Sequence, residues 1–118
     1  MFHDRSPIYQ QIANGIKDDV LSGTLKEGEQ VMSTNQYAAF YQINPATAAK
    51  GFAQLVDEGV LYKKRGIGMF VSPDARARLR DQRRERFFAD VVAPMLAEAR
   101  MVGVDIDEIV AFLKDGPR

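Results

Sequence analysis

The sequence predicts a mainly α fold with a small β wing: a winged helix-turn-helix domain followed by a short C-terminal two-helix dimerisation element. Two stretches carry the prediction. Asn44-Pro45-Ala46-Thr47 has the residues of a capped helix start. The segment from Lys63 to Val71 is basic and contains two glycines, as expected of a hairpin tip. A capped helix followed by a cationic ribbon is the arrangement with which winged helix-turn-helix proteins hold DNA.

Composition fits one compact domain with a small appended element, since the chain has 118 residues and 46% apolar content. We place the winged domain at residues 1–72 and the helical dimerisation region at 73–118. The chain has no cysteine, which excludes disulfides and thiolate metal sites. The N-terminal residues lack the pattern of a signal peptide, and no apolar run reaches the roughly 20 residues of a membrane span. We therefore expect a cytoplasmic protein without a metal, a cofactor or a membrane partner.

Charge is balanced overall but unevenly distributed. The 16 basic and 16 acidic residues cancel, although DNA-binding proteins are often strongly basic. The basic residues of the predicted third helix and wing are Lys50, Lys63, Lys64 and Arg65. Six further arginines lie between residues 76 and 86, and we expect them to form a solvated helix face paired with Asp81 and Glu85.

The first helix is predicted over residues 7–22. Ser6 is the expected N-cap and Pro7 the first helical residue. Isoleucine or valine then recurs every fourth residue from Ile8 to Val20, which marks one buried face. Gly23 is expected to end the helix.

Two short helices joined by a tight turn follow. Ser33 and Gln36 fit a capping box that opens a second helix over 34–41. Asn44 and Pro45 open a third helix that we expect to end at Gly59. The predicted apolar residues of these two helices are Tyr37, Ala38, Phe40 and Tyr41, then Ala48, Phe52, Leu55 and Val56. The opposite face of the third helix is small and mostly neutral, so it offers few side chains for base recognition.

The wing and the C-terminal helices complete the chain. Strands are predicted at residues 60–62 and 69–71. Val31-Met32 is predicted to be a short extended link into the second helix. Ser72 and Pro73 are expected to start a long helix that Pro94 bends and Gly103 ends. A capping box at Asp105 starts the last helix. Because two helices of about 40 residues cannot bury their own apolar faces, we predict a homodimer that uses Phe88, Val91, Val92, Met95, Ala99, Ile109 and Leu113.

Residues 6–72 resemble the DNA-binding domain of the GntR family of bacterial transcription regulators. The resemblance is carried by the segments 7–12, 21–28, 44–48, 55–60 and 66–71 in this order and spacing. The short helical C-terminus is similar to that of the YtrA-like subfamily. That resemblance implies transcription control, C-terminal helices that form a dimer, and repression of operons that include transport systems.

The resemblance also implies roles for individual residues. Ser33 matches a serine that caps the second helix near a phosphate, Thr47 a recognition-helix threonine, and Lys50 a position that is usually arginine. Gly66 and Gly68 match wing glycines that approach the minor groove. The chain departs from the family at Asn35, where arginine is usual, and at Ala46 and Ala49, where polar or basic residues are common. We therefore expect weaker or differently specified DNA binding than in a typical member.

The predicted ligand is double-stranded DNA, bound as a palindromic operator by a homodimeric repressor. The predicted DNA-binding residues are Ser33, Thr34, Asn35, Asn44, Ala46, Thr47, Lys50, Lys63, Lys64, Arg65, Gly66, Ile67 and Gly68. No catalytic set is present, so we predict that the protein is not an enzyme. Two further hypotheses stay open: a winged-helix protein-interaction module without specific DNA binding, and control of DNA binding by a small effector bound in a cleft between the C-terminal helices and the DNA-binding domain.

Overall fold

The computed structural model of the chain describes residues 6–117. The expectation about a signal peptide concerns an N-terminal segment whose first five residues lie outside this range. In chain order the elements are α1 (Ile8–Ser22), α2 (Thr34–Tyr41), α3 (Pro45–Asp57), β1 (Leu61–Lys64), β2 (Gly68–Val71), α4 (Ala75–Phe87), a π-helix (Phe88–Val92), α5 (Ala93–Val102) and α6 (Ile106–Asp115). The predicted class, helices with a small antiparallel wing, is confirmed.

The chain divides into two compact units, one ending at Arg80 and the other beginning at Asp81. The first unit extends past the predicted division after residue 72, because Ala75 and Leu79 of α4 are buried in its core. The functional division into a DNA-binding domain and a dimerisation region remains a prediction. Among residues 6–117, no helix has both the length and the apolar content needed to cross a bilayer.

The core of the first unit lies among α1, α2, α3 and the wing. The predicted four-residue repeat of α1 buries Ile12, Ile16 and Val20. Its first member, Ile8, is exposed instead, because it lies at the helix start beyond the edge of the core. The remaining large buried side chains come mainly from α3 and the strands: Phe52, Leu55, Leu61 and Val71. The sequence pattern did not predict the role of Gly51 in packing. A Cβ at this position would lie 2.9 Å from the carbonyl oxygen of Tyr9. The lack of a side chain at Gly51 therefore lets α3 pack closely on α1.

The predicted start of α1 is wrong. Pro7 occupies the N-cap position, and α1 has no side-chain cap. The Ser6 carbonyl oxygen instead accepts a hydrogen bond of 2.7 Å from Gln11 Nε2. Ser6 has a side chain that could cap a helix, but the residue at the N-cap position is Pro7, whose backbone is extended with ψ 147°.

The predicted bounds of α2 are confirmed. The turn after α2 places Gln42 at φ 55°, a left-handed conformation uncommon outside glycine. One other prediction fails, since Phe40 is 68% exposed rather than part of the core. Helix α3 has its last helical residue at Asp57 and its C-cap at Glu58. The predicted Gly59 follows at φ 76° and closes the helix end, with Gly59 N donating to Val56 O.

The wing is larger than the sequence predicts. Its two strands pair in antiparallel register with Tyr62 opposite Phe70, and their rings stack with centroids 5.8 Å apart. A third extended segment joins the other edge of β2, since Val31 N donates to Met69 O and Val71 N donates to Glu29 O. The predicted link at Val31-Met32 is thus the end of a third strand-like edge, and Gln30 forms a bridge with Phe70.

The start of α4 also differs from the prediction, since the helix begins at Ala75 rather than at Pro73. Ser72 N donates to Val60 O over 2.9 Å, so Ser72 extends the wing ladder before the helix starts. Two arginines of α4 are exposed, as predicted, but they also bond backbone carbonyls of the first unit. Arg76 Nε donates to Leu21 O at the end of α1, and Arg78 donates to the carbonyl oxygens of Glu58 and Gly59 after α3.

The second unit contains the later part of α4, the π-helix, α5 and α6. The π-helix immediately precedes Pro94, and Ala93 N donates to Phe88 O at its end. The wider turn accommodates a proline that lacks a donor for the Asp90 carbonyl. Gly103 ends α5 as predicted. Asp105 Oδ1 accepts from Glu108 N over 2.9 Å, which confirms the predicted cap of α6.

Candidate nucleic-acid interface

The helix-turn-helix presents two capped helix N-termini. Ser33 Oγ accepts from Gln36 N, and Gln36 Oε1 accepts from Ser33 N, both over 3.1 Å. Asn44 Oδ1 accepts from Ala46 N over 2.8 Å, with Pro45 in the first turn. Both predicted caps are confirmed. Helix N-termini carry partial positive charge, which favours nearby phosphate groups.

The outer face of α3 is small, as the sequence predicts. Ala46, Ala49 and Lys50 are exposed, and Thr47 is half-buried. Lys50 is the only basic residue of α3. Its Nζ lies 4.0 Å from the centroid of the Tyr9 ring, so a cation–π contact holds the ammonium beside α1. The Tyr9 ring therefore positions the side-chain charge of α3.

At the start of α2, Thr34 is half-buried and Asn35 is exposed. The Asn35 side chain is a neutral amide. The positive charge at the start of α2 is therefore the partial charge of the helix N-terminus. Among the predicted DNA-binding residues, the cationic side chains are therefore Lys50 of α3 and Lys63, Lys64 and Arg65 of the wing.

The cations of the wing are exposed at its end. Lys63 and Lys64 are the last residues of β1, and Arg65 follows in the turn. Lys64 Nζ lies 4.6 Å from the centroid of the Phe70 ring, which leans the ammonium over the sheet. Three adjacent exposed cations concentrate positive charge at the end of this hairpin, and positive charge attracts phosphate oxygens.

The turn between the strands consists of small residues around one apolar side chain. Gly66 has φ 75° and Gly68 φ 144°, values that favour glycine. Ile67 lies between them and is 64% exposed. Gln30 Nε2 donates to Ile67 O over 3.0 Å, so the third edge of the wing supports the tip. Sequence analysis missed Gln30, because its role depends on a pairing between segments 37 residues apart.

The buried Tyr37 of α2 has a raised pKa. Burial, with smaller contributions from Tyr41 and Asp19, raises the pKa of Tyr37 to about 12. Its ring packs edge-on against Phe52 with centroids 5.3 Å apart. Tyr37 is therefore a neutral packing residue that joins α2 to α3, as predicted.

The second unit has almost no core of its own. Within residues 81–117, Ala99 is the one side chain that is buried. Of the predicted dimerisation residues, Val92 and Ile109 are half-buried, while Phe88, Val91, Met95 and Leu113 are exposed. Six large apolar side chains outside the predicted dimerisation set are also exposed: Phe87, Met101, Val102, Ile106, Val110 and Phe112. The amphipathic pattern identified part of this apolar surface but not its full extent.

These features define a winged helix-turn-helix protein: capped helices α2 and α3 joined by a tight turn, followed by a cationic wing. The chain belongs to the gntR family of bacterial regulatory proteins, whose sequence profile matches residues 8–71. Among curated proteins, it is 26% identical over 110 residues to the HTH-type transcriptional repressor YtrA of Bacillus subtilis, covering 93% of this chain and 84% of YtrA. The predicted resemblance to this family and to its YtrA-like branch is confirmed.

Solved structures agree with this assignment. A transcriptional regulator from Oenococcus oeni has a TM-score of 0.78 at 27% identity, covering 98% of this chain and 94% of that one. A GntR family transcriptional regulator from Listeria monocytogenes has a TM-score of 0.75 at 26% identity, covering 97% and 98%. The chain is thus a DNA-binding transcriptional regulator and not an enzyme, which favours the DNA-binding hypothesis over the protein-interaction module.

Proposed function

We propose that the protein is a homodimeric repressor that binds a palindromic operator with α3 and the wing. The observation that supports this most directly is the wing, whose exposed Lys63, Lys64 and Arg65 belong to the same compact unit as the capped helix α3. An α-helix fits the major groove, and a cationic hairpin beside it reaches the flanking phosphates.

The proposal assigns three kinds of contact within the first unit. The α2 and α3 N-termini bind phosphates, the exposed face of α3 contacts base edges, and the wing contacts phosphates and the adjacent minor groove. The residues assigned to these contacts are Ser33, Thr34, Asn35, Asn44, Ala46, Thr47, Lys50, Lys63, Lys64, Arg65, Gly66, Ile67 and Gly68. Because α3 carries one cation and several alanines, we expect the wing to supply much of the affinity.

A homodimer is supported by the apolar surface of the second unit. Exposed side chains such as Phe88, Val91, Met95 and Leu113 leave this unit with a surface that water solvates poorly. A two-fold partner that presents the same surface would bury it. We keep Val92 and Ile109 in the proposed interface, whereas Ala99 is already buried in its own protomer and contributes little new contact area.

The two-fold arrangement predicts the form of the operator. Two α3 helices about 34 Å apart would meet successive major grooves on one side of the duplex, so the operator is an inverted repeat. Because the proposed ligand is bacterial chromosomal DNA, the protein acts in the cytoplasm.

Repression, rather than activation, is proposed from the similarity to a protein named as a transcriptional repressor. Deleting the coding sequence should raise expression from a promoter that contains the operator, and restoring it should lower expression. A fall in expression on deletion would identify an activator.

A small effector remains part of the proposal, and the second unit offers a place for it. A cavity of about 440 Å³ lies between α5 and α6, with both apolar and charged walls lined by Leu96, Arg100, Val104, Asp105 and Ile109. A metabolite screen that monitors operator affinity tests this part. If no compound changes that affinity, regulation by an effector is abandoned.

The operator model is tested by comparing a full inverted repeat with one half-site. The duplex is first selected from a random pool by the full-length protein. We expect the full repeat to bind two protomers, and the half-site in a duplex of equal length to bind at least about tenfold more weakly. Equal affinity for both duplexes, with one protomer bound to each, would contradict a dimeric operator complex.

A further inference from the structure

The tip of the wing carries an apolar side chain where a DNA-binding hairpin is expected to be polar. Ile67 is 64% exposed and follows three consecutive cations and a glycine. We propose that Ile67 is a specificity residue that contacts the floor of the minor groove and selects an A·T pair against a G·C pair. This inference rests on the proposed function.

The backbone at Ile67 is held in place from two sides. Ile67 N donates to Lys64 O over 3.0 Å, which closes the turn. Gln30 Nε2 donates to Ile67 O, also over 3.0 Å, from the third edge of the wing. A tip with a fixed backbone loses little conformational freedom on binding, which favours a defined contact.

Gln30 is itself anchored by backbone pairing. It forms a bridge with Phe70, and its neighbours pair with β2 through bonds of 2.9 and 3.0 Å from Val71 N to Glu29 O and from Val31 N to Met69 O. Gln30 is therefore a positioning residue: it supports the tip through a carbonyl group and needs no contact with DNA.

The shape of the tip suits a narrow groove. Ile67 is flanked by two glycines. A Cβ at Gly66 would meet no atom within 4 Å, whereas a Cβ at Gly68 would lie 2.6 Å from Gln30 Nε2, so the backbone is bare before Ile67 and covered by Gln30 after it. The minor groove is about 6 Å wide, whereas the major groove is about 12 Å wide and accommodates a helix. The adjacent Lys63, Lys64 and Arg65 are placed to approach the phosphates that border the groove.

The chemistry of isoleucine determines which base pair it tolerates. In the minor groove an A·T pair presents acceptors only, while a G·C pair adds the N2 amino donor of guanine. Isoleucine has no acceptor for that donor and would exclude the water that satisfies it. Burying an unsatisfied donor lowers affinity on the order of tenfold or more. Apolar side chains are also used by other proteins as wedges at base steps in the minor groove.

The test uses the full-length protein and the selected duplex, with each A·T pair replaced one at a time by two analogues. Diaminopurine·T adds a 2-amino group in the minor groove and preserves the thymine methyl. Inosine·C leaves the minor groove without that amino group but changes the major-groove pattern. At one pair in each half-site we expect diaminopurine·T to lower affinity about tenfold and inosine·C to have little effect.

Substitutions at Ile67 and Gln30 test whether the diaminopurine penalty depends on the tip of the wing. Ile67→Ala should reduce the diaminopurine penalty to less than about threefold, and the conservative Ile67→Val should retain most of it. Gln30→Ala should reduce the penalty while leaving the salt dependence of binding unchanged, because no phosphate contact is lost. Unaltered thermal unfolding midpoints would show that the exposed tip tolerates these changes.

Other outcomes overturn the inference. If no pair shows the diaminopurine penalty, if inosine·C produces it instead, or if Ile67→Ala retains the full penalty, Ile67 does not select the pair in the minor groove. In these cases sequence-selective binding itself remains and the proposed function stands. If the protein selects no sequence from the pool, the proposed function fails and this inference fails with it.

Discussion

Individual cations of the first unit already have partners in the protein. Lys50 lies over the Tyr9 ring, Lys64 over the Phe70 ring, and Arg78 bonds carbonyl groups behind α3. Lys17 pairs with Glu58 over 2.8 Å. Lys50, Lys64 and Arg78 are all exposed, but their partners differ: Lys50 and Lys64 lie on aromatic rings, while the Arg78 guanidinium donates hydrogen bonds to backbone carbonyls.

Lys50→Ala tests the contribution of α3 to DNA binding. We expect operator affinity to fall by about 1–3 kcal/mol if Lys50 contacts a base, with relaxed preference at that base. If Lys50 contacts phosphate, affinity should fall similarly for all sequences and the salt slope should decrease by about one. Titrations at several salt concentrations distinguish the two. Lys26→Ala, which removes an exposed charge outside the proposed interface, is the control, and unchanged affinity in Lys50→Ala would exclude Lys50 from the interface.

Asp19 predicts a pH dependence of stability. Burial, and secondarily the charge of Asp18, raises its pKa above the ordinary value of 3.8. The folded state therefore favours the protonated carboxyl, so the Asp19 contribution to stability is lost as pH rises from 3.8 through the raised pKa. Relative to wild type, Asp19→Asn should gain stability across that window and keep the gain above it. Urea unfolding from pH 3.5 to 7 measures the difference, and parallel profiles would contradict the assignment.

Within the elements, local sequence predicted some boundaries and not others. Ser33 and Gln36 fixed the start of α2 because both hydrogen bonds of the capping box form between residues three positions apart. The third edge of the wing was not predictable in this way, since Gln30 and Phe70 are distant in sequence and residues 28–31 lack a strand pattern. The same limit applies to Gln30 as a support for Ile67: the tip was identified from its own residues, but its anchor was not.

The arginines of α4 show why a charge pattern alone does not assign roles. Arg76 and Arg78 bond carbonyl groups at the ends of α1 and α3, where cations interact favourably with the helix dipole. Arg84 and Arg86 are exposed on the same helix. A sequence cannot distinguish these two pairs, because the distinction depends on where α4 crosses the ends of other helices.

Arg78→Ala should lower the free energy of unfolding by about 1–2 kcal/mol, because it removes charge-assisted hydrogen bonds to Glu58 O and Gly59 O. Arg84→Ala is the matched control and should change stability by no more than about 0.5 kcal/mol. Denaturant unfolding monitored by circular dichroism gives both values. Equal effects of the two substitutions would show that the carbonyl contacts of Arg78 do not stabilise the first unit.

At the scale of the whole molecule, the surfaces of the two units differ in chemical character. The first buries a core and exposes cations at its wing, while the second exposes apolar side chains around a single buried residue among those described. Amphipathic spacing predicted residues such as Phe88 and Leu113 of this apolar surface. It did not predict Met101 of α5 or Phe112 of α6, because the complete surface depends on how α5 and α6 pack.

Phe88→Asp should dissociate the homodimer, because it introduces a charge into an apolar interface. Sedimentation equilibrium at micromolar concentration measures the change. Phe40→Asp is the matched control: Phe40 is also an exposed aromatic residue, at 68% against 72% for Phe88, but it belongs to α2 of the first unit. A Phe88→Asp variant that dimerises as tightly as wild type would refute the proposed interface.

The most direct test of the central claim is binding of the purified full-length protein to the DNA upstream of its own coding region, measured at two salt concentrations against a scrambled duplex of equal length. We expect a dimer to bind the upstream DNA preferentially and its affinity to fall steeply at the higher salt, because Lys50 and the wing cations release counterions from phosphate. Equal or absent binding to both duplexes at both salt concentrations would contradict the central claim.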